Sequence, residues 1–275
     1  MPAVDRRTIA RRERDLSRLD PVMAKLIAAA GPCTLRPRPE CTPFEALARA
    51  IAHQQLNGTA AASILGRFTA LYAPALFPEP AALQATADAA LRASGFSQAK
   101  IRALRDLADK VQAGIVPPTA ELLVLEDHAI VERITQVRGI GRWTVEMLLI
   151  SELGRPDVLP VDDFGVRNGF RLAYGLGGLP TPRALAQFGA RWAPHRSLAA
   201  WYLWRAVDLA RAGRLPRAGR APRVAQSKPR ALRPAAAAGR PARAAGRRPP
   251  SPVRPRRPPP AQSPRRAPRR PAPAQ

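Results

Sequence analysis

Cysteine is scarce in this chain, with only Cys33 and Cys41 among 275 residues. Two thiols cannot build a four-thiolate iron–sulfur or zinc centre. Three scattered histidines, His53, His128 and His195, add no ligand spacing, so no metal site is expected. With prolines on both sides, the cysteines read as incidental cytosolic thiols rather than a disulfide. No apolar run approaches the roughly 18 residues of a membrane-spanning helix. The N-terminal MPAVDRRTIARRERD has no apolar signal core either. These lacks predict a soluble, intracellular protein with no membrane contact. Strand-like alternation is also missing, and residues 157–161, the only stretch that could be extended, are too short for a sheet.

Acidic residues are absent from Arg217 onward, where 17 of the 45 lysines and arginines lie. The preceding body therefore carries 28 basic against 20 acidic residues, and the tail supplies most of the net charge of +25. Such an excess points to a polyanionic partner, with nucleic acid first in line. The tail (213–275) also holds half of the 32 prolines and almost no large apolar residue. It cannot bury enough surface to offset the entropy of ordering, so it is expected to be disordered. Its charge serves either for salt-sensitive phosphate contacts or for nothing beyond biased composition.

Residues 1–19 are charged and read as an arm or a frayed helix. A helix start follows at Asp20-Pro21, and Thr42-Pro43-Phe44-Glu45 carries a capping-box signature. Apolar spacing predicts helices over 43–56, 59–72, 79–93, 97–113, 119–126, 127–137, 164–174, 181–192 and 196–212. The body is expected to be all-α, with about ten helices joined by short loops.

The most informative stretch is 134–167, ITQVRGIGRWTVEMLLISELGRPDVLPVDDFGVR. Gly139 and Gly141 flank Ile140 where one helix should end and the next begin. Glycines there permit positive φ and the close approach of another backbone, such as a phosphodiester. The amides opening the second helix form a ready anion site. Trp143 follows one turn in, and Asp162 and Asp163 lie in the loop beyond. An anion-binding hairpin, an aromatic and a carboxylate in this order suggest an enzyme acting on a base or sugar of DNA.

VRGIGRWTVEMLL followed by LPVDDFGVRNGF resembles the helix–hairpin–helix (HhH-GPD) DNA glycosylases, and within them the 3-methyladenine DNA glycosylase II branch. IAHQQLNGTAAASILGRF, GFSQAKIRALRDLA and RWAPHRSLAAWYLW resemble further segments of that family, in the same order, over about 20–212. The resemblance implies two helical lobes with a cleft between them, in the compact form that lacks an N-terminal sheet domain. It implies a monofunctional glycosylase that flips alkylated purines of the 3-methyladenine and 7-methylguanine type out of double-stranded DNA. It further implies hydrolysis of the N-glycosidic bond by a monomer, on the nucleoid in the cytoplasm or in a nucleus.

Carried over residue by residue, DFGVR matches the family's D-[YFL]-x-[VI]-[KR], which makes Asp163 the catalytic residue. An ionised carboxylate beside C1′ stabilises oxocarbenium character and orients water. An N-cap is the competing reading. Trp143 stands where lyase members carry a Schiff-base lysine, so no amine nucleophile is available. It can stack on a flipped base instead, or serve as a core residue. Trp204 is a second pocket aromatic and Asp162 a lesser pocket or solvent-facing carboxylate. Gly139, Gly141 and Arg142 would face phosphate. Gln55, Leu56 and Asn57, beside Gln54 at a helix end, would enter the duplex, with Leu56 or Asn57 as the plug. No organic cofactor is implied, and hairpin carbonyls hold a monovalent cation in relatives. Two rival readings remain: a glycosylase for hypoxanthine, ethenoadenine or a mismatched base, and a non-catalytic hairpin module.

Overall fold

The computed structural model describes residues 6–38, 40–217 and 224–226. Among them the chain is helical, with no strand beyond one isolated bridge, as the absent alternation predicts. The helices are α1 (Arg6–Leu19), α2 (Pro21–Ala30), α3 (Pro43–His53), α4 (Gly58–Ala70), α5 (Pro80–Ala85), α6 (Asp88–Ala93) and α7 (Gln98–Gln112). There follow α8 (Thr119–Val124), α9 (Asp127–Ile134), α10 (Arg142–Ser151), α11 (Phe164–Ala173), α12 (Pro182–Gly189), a short 3-10 turn (Ala190–Trp192) and α13 (Arg196–Arg211). None of these helices is long and apolar enough to cross a membrane.

Capping chemistry sets many of the starts. Thr42 accepts a hydrogen bond from the Glu45 amide with Pro43 in the first turn of α3. Asn57, Ser97 and Thr181 cap α4, α7 and α12 in the same way. Two expected helices are broken. Residues 79–93 split at Thr86, whose hydroxyl bonds back to the Ala82 carbonyl while the Arg105 guanidinium takes the Leu83 and Thr86 carbonyls. Residues 127–137 stop at Ile134, where Thr135 turns its hydroxyl onto the Val131 carbonyl at 2.7 Å.

Two cores organise the helices. The first, from α3 to α10, is built on Phe44, Leu47, Ile51, Phe68, Leu104 and Ile134. The second joins α1 and α2 to α11 and α13 around Leu16, Met23, Phe170, Trp192 and Tyr202. Leu35 and Trp204 pack against both, so the junction between the lobes runs through them. The close approach of α11 to α13 depends on Gly169, where a Cβ would lie 1.9 Å from the Leu203 carbonyl oxygen.

The N-terminal arm is a correction. α1 buries Ile9 and Leu16 in the second core, and its Glu13 accepts hydrogen bonds from the Cys33 amide and the Tyr202 hydroxyl, both at 2.7 Å. Charge at eight of its fourteen positions hid the narrow apolar face. α1 also covers His195, which is largely buried 3.8 Å from Asp15, its Nδ1 without a hydrogen bond among the described residues. Behind these contacts Asp20 caps α2 and receives the Tyr174 hydroxyl at 2.6 Å and the Trp192 indole at 2.9 Å.

The C-terminal boundary also shifts. Leu215 and Val224 pack on the second core, and the Thr181 amide donates to the Ala225 carbonyl at 2.9 Å. The domain thus continues past Ala212. Residues 227–275, which carry most of the expected disordered tail, lie outside the described residues. Cys33 and Cys41 are free and buried, and burial pushes both thiols up to about 11.

Candidate active site and nucleic-acid interface

The site begins at the hairpin. Ile140 is buried in the first core, which pins the turn from within. Gly139 adopts φ +77°, the left-handed conformation expected of it. Gly141 differs from expectation, because its φ is −96° and any residue could adopt that backbone. What its lack of a side chain provides is space, since a Cβ there would meet nothing within 4 Å. As the N-cap of α10, Gly141 also brings no side chain to the first-turn amides. The Thr144 amide turns back onto the Gly141 carbonyl at 2.9 Å, and the Arg142 and Trp143 amides are left for an acceptor from outside, the arrangement that binds phosphate. From the first core, Asp106 on α7 accepts the Arg138 amide at 2.7 Å and holds the turn.

Arg142 opens α10 beside these amides. It is well exposed and pairs at 2.9 Å with Glu146, one turn on, whose carboxylate is buried. Burial raises the Glu146 carboxyl above the usual glutamate range, and the charges of Asp162 and Asp163 push it the same way, against the pull of Arg142.

Asp163 stands at the centre. It is the N-cap of α11, and its Oδ1 accepts the Val166 amide at 2.6 Å and the Trp204 indole N–H at 2.9 Å. Its Oδ2 accepts the Trp143 indole N–H at 2.7 Å. The carboxylate is therefore both a helix cap and the meeting point of α10, α11 and α13. Capping fixes one oxygen, and the single indole bond leaves the other with acceptor capacity. Trp143 is 48% exposed, which rules out a core role and leaves an indole face open. Trp204 is half-buried between the lobes. Asp162 does not join the group; it is exposed, and among the described residues its carboxylate takes no hydrogen bond.

Gly165 is a site residue that the sequence reading passed over. A Cβ at this position would sit 2.8 Å from Trp204 Cδ1 and 3.0 Å from Asp163 Oδ1. The indole reaches the carboxylate because position 165 has no side chain. A glycine one turn into a helix, two residues after the candidate carboxylate, was the available signal. Phe164, beside it, is 66% exposed.

The helix end after α3 is equally specific. Gln55 has φ +59°, the one positive φ at a non-glycine among the described residues. Strain of this kind concentrates at functional sites. Leu56 is 40% exposed and does not cap the core, while Asn57 spends its Oδ1 on the Ala60 amide at 2.8 Å. Gln54 reaches across to the hairpin, where its Nε2 donates to the Gly139 carbonyl at 2.8 Å. Arg196 is committed to Asp157 through paired bonds at 2.8 Å. Among the described residues no cluster of three or more His, Cys, Asp or Glu could hold a metal ion.

Known proteins resemble this chain. A family model described as HhH-GPD superfamily base excision DNA repair protein matches residues 48–195. The chain is 39% identical over 206 residues to DNA-3-methyladenine glycosylase 1 of Schizosaccharomyces pombe, covering 74% of this chain and 90% of that one. A solved structure of the S. pombe 3-methyladenine DNA glycosylase Mag1 in complex with abasic DNA superposes with a TM-score of 0.66 at 39% identity, over 73% of this chain and 98% of the other. A DNA-3-methyladenine glycosidase from Bacillus halodurans gives the same TM-score at 35% identity, over 73% and 91%. With more than half of its length matched, this chain belongs to the HhH-GPD superfamily of base excision DNA repair proteins.

Proposed function

We propose that this protein is a monofunctional DNA-3-methyladenine glycosylase, acting on double-stranded DNA as a monomer in base excision repair. The observation that carries the reading is the Asp163 carboxylate, held on three sides by the Val166 amide and the Trp204 and Trp143 indoles. The lesion class is supported by relatives named for 3-methyladenine at 39% and 35% identity. The same kinship supports work wherever DNA is kept, on a bacterial nucleoid or in a nucleus.

The chemistry follows from the groups present. An N-alkylated purine carries positive charge and is already a good leaving group, so little general-acid power is needed. The open face of Trp143 gains about 0.5–2 kcal/mol from stacking on such a cation. As the C1′–N bond breaks, charge develops on the sugar, and the Asp163 carboxylate stabilises it and orients the attacking water. The water adds to C1′, its proton passes to the carboxylate side, and the base leaves with the bonding pair. No lysine stands at position 143, so the backbone stays intact. A plug is needed for the gap left in the duplex, and Leu56 fills the part better than Asn57, whose side chain is occupied as a cap. Phosphate contact falls to the backbone at Gly139 and Gly141 and to Arg142, with Gln55 beside the plug. The reaction draws on no organic cofactor, and the carbonyls of the hairpin would hold any monovalent cation, which would supply positive charge beside a DNA phosphate.

The test is chromatography of bases released from dimethyl-sulfate-treated duplex DNA. Free 3-methyladenine and 7-methylguanine, with strands that break only after alkali, are the expected result. Strand breaks before alkali would overturn the monofunctional reading, and an absence of free base would overturn the glycosylase reading.

A further inference from the structure

The plug loop and the phosphate hairpin lie 85 residues apart in sequence, yet they are joined directly by Gln54 Nε2 on the Gly139 carbonyl at 2.8 Å. They are joined a second time through one face of α7. Lys100 Nζ donates to the Ala52 carbonyl, at the end of α3, at 2.7 Å. Three residues on, Ala103 lies under Gly139, 3.6 Å from where its Cβ would be. Three further on, Asp106 accepts the Arg138 amide at 2.7 Å. Spacing of i, i+3 and i+6 puts all three on one side of the helix. Every link ends on backbone, so the pieces held are main-chain segments rather than mobile side chains. Directly after both links, between Gln54 and the plug Leu56, sits Gln55 at φ +59°, a conformation that persists only where its surroundings impose it.

We infer that Gln54 and the Lys100–Asp106 face of α7 form a strut that sets the distance between the plug Leu56 and the phosphate-binding hairpin, so that gripping the strand and filling the gap occur as one event. The inference rests on the glycosylase reading for its biological meaning and on geometry for its existence. Gln54 is a positioning residue that acts through Leu56. A plug entering the stack must arrive one nucleotide step from the phosphates the hairpin holds. Misplacement by an ångström wastes the contact.

The experiment uses the full chain in variants Gln54→Ala, Leu56→Ala and the double variant. Two readouts are taken. One is single-turnover release of 3-methyladenine from duplex and from single-stranded DNA. The other is emission of 2-aminopurine placed beside a tetrahydrofuran abasic analogue, which changes when a side chain enters the stack and needs no chemistry. The strut requires Gln54→Ala to slow duplex excision and plug insertion about fivefold to tenfold, the range expected for one lost hydrogen bond. Excision from single strands, where nothing has to be plugged, stays within twofold of wild type. The double variant is then no slower than Leu56→Ala. Equal losses on both substrates, additive losses in the double variant, or wild-type emission in Gln54→Ala would each overturn the strut. If the wild type releases no base from any substrate, the glycosylase reading falls, and the emission change alone still decides the strut.

Discussion

Substituting Gly165 by alanine separates catalysis from stability in an unusually clean way. The new methyl would lie 2.8 Å from Trp204 Cδ1 and 3.0 Å from Asp163 Oδ1. Ordinary carbon contacts sit at about 3.5–4.0 Å, so the indole or the carboxylate must move by roughly 1 Å. Trp204 is wedged against both cores and cannot rotate away freely. Its 2.9 Å bond to Asp163 would stretch past hydrogen-bonding range. In α11 itself, alanine gains about 0.5–1 kcal/mol over glycine through helix propensity. Overpacking costs about 1–3 kcal/mol, so the net change in stability is about 0–2.5 kcal/mol of loss. A misplacement of this size at the reacting centre costs about a hundredfold in rate. Single-turnover base release and thermal unfolding by circular dichroism should therefore give a rate about a hundredfold lower with a melting temperature down by only a few degrees. A variant that cleaves at the wild-type rate would refute the idea that the Trp204–Asp163 contact needs an empty position 165.

Two further perturbations probe the frame and the phosphate side. Asp20→Ala removes the acceptor of the buried Tyr174 hydroxyl and Trp192 indole and the cap of α2. A loss of about 3–5 kcal/mol in chemical denaturation is expected from two stranded donors and one missing cap, and a loss under 1 kcal/mol would contradict it. Glu146→Gln removes a buried charge whose pKa is raised by burial. A raised acid is costly while ionised, and that cost is relieved as pH falls through its raised pKa. The variant should match or exceed wild-type stability at neutral pH and lose that advantage as pH falls from above the ordinary glutamate range down into it. It should also free Arg142 for phosphate and steepen the salt dependence of DNA binding; an unchanged slope would sink that role.

Much of this was legible in the residues. The all-α class followed from missing alternation, and the start of α3 from Thr42 and Pro43. Asp163, Trp143 and Trp204 were selected by motif, and they share one carboxylate in the folded chain. Other features were hidden because they depend on what lies opposite. α1 looked like an arm because its apolar face is only Ile9 and Leu16, and its Glu13 finds partners at Cys33 and Tyr202, far along the chain. Gly165 looked like a helix irregularity, since its purpose is the indole 39 positions away. Asp162 looked equivalent to its neighbour, and only the direction of the chain entering α11 turns one carboxylate into the cleft and the other to solvent. Leu56 and Asn57 could be told apart only once the cap on α4 was visible.

The central claim concerns the Asp163 carboxylate, and Asp163→Asn tests it most directly. Asparagine is isosteric and a good N-cap, so α11 keeps its start. It loses the negative charge and sets an amide N–H against an indole N–H. Release of 3-methyladenine from methylated duplex should slow by about 10²–10³, while affinity for an abasic duplex stays within about threefold. Base release at the wild-type rate would contradict a catalytic Asp163 outright.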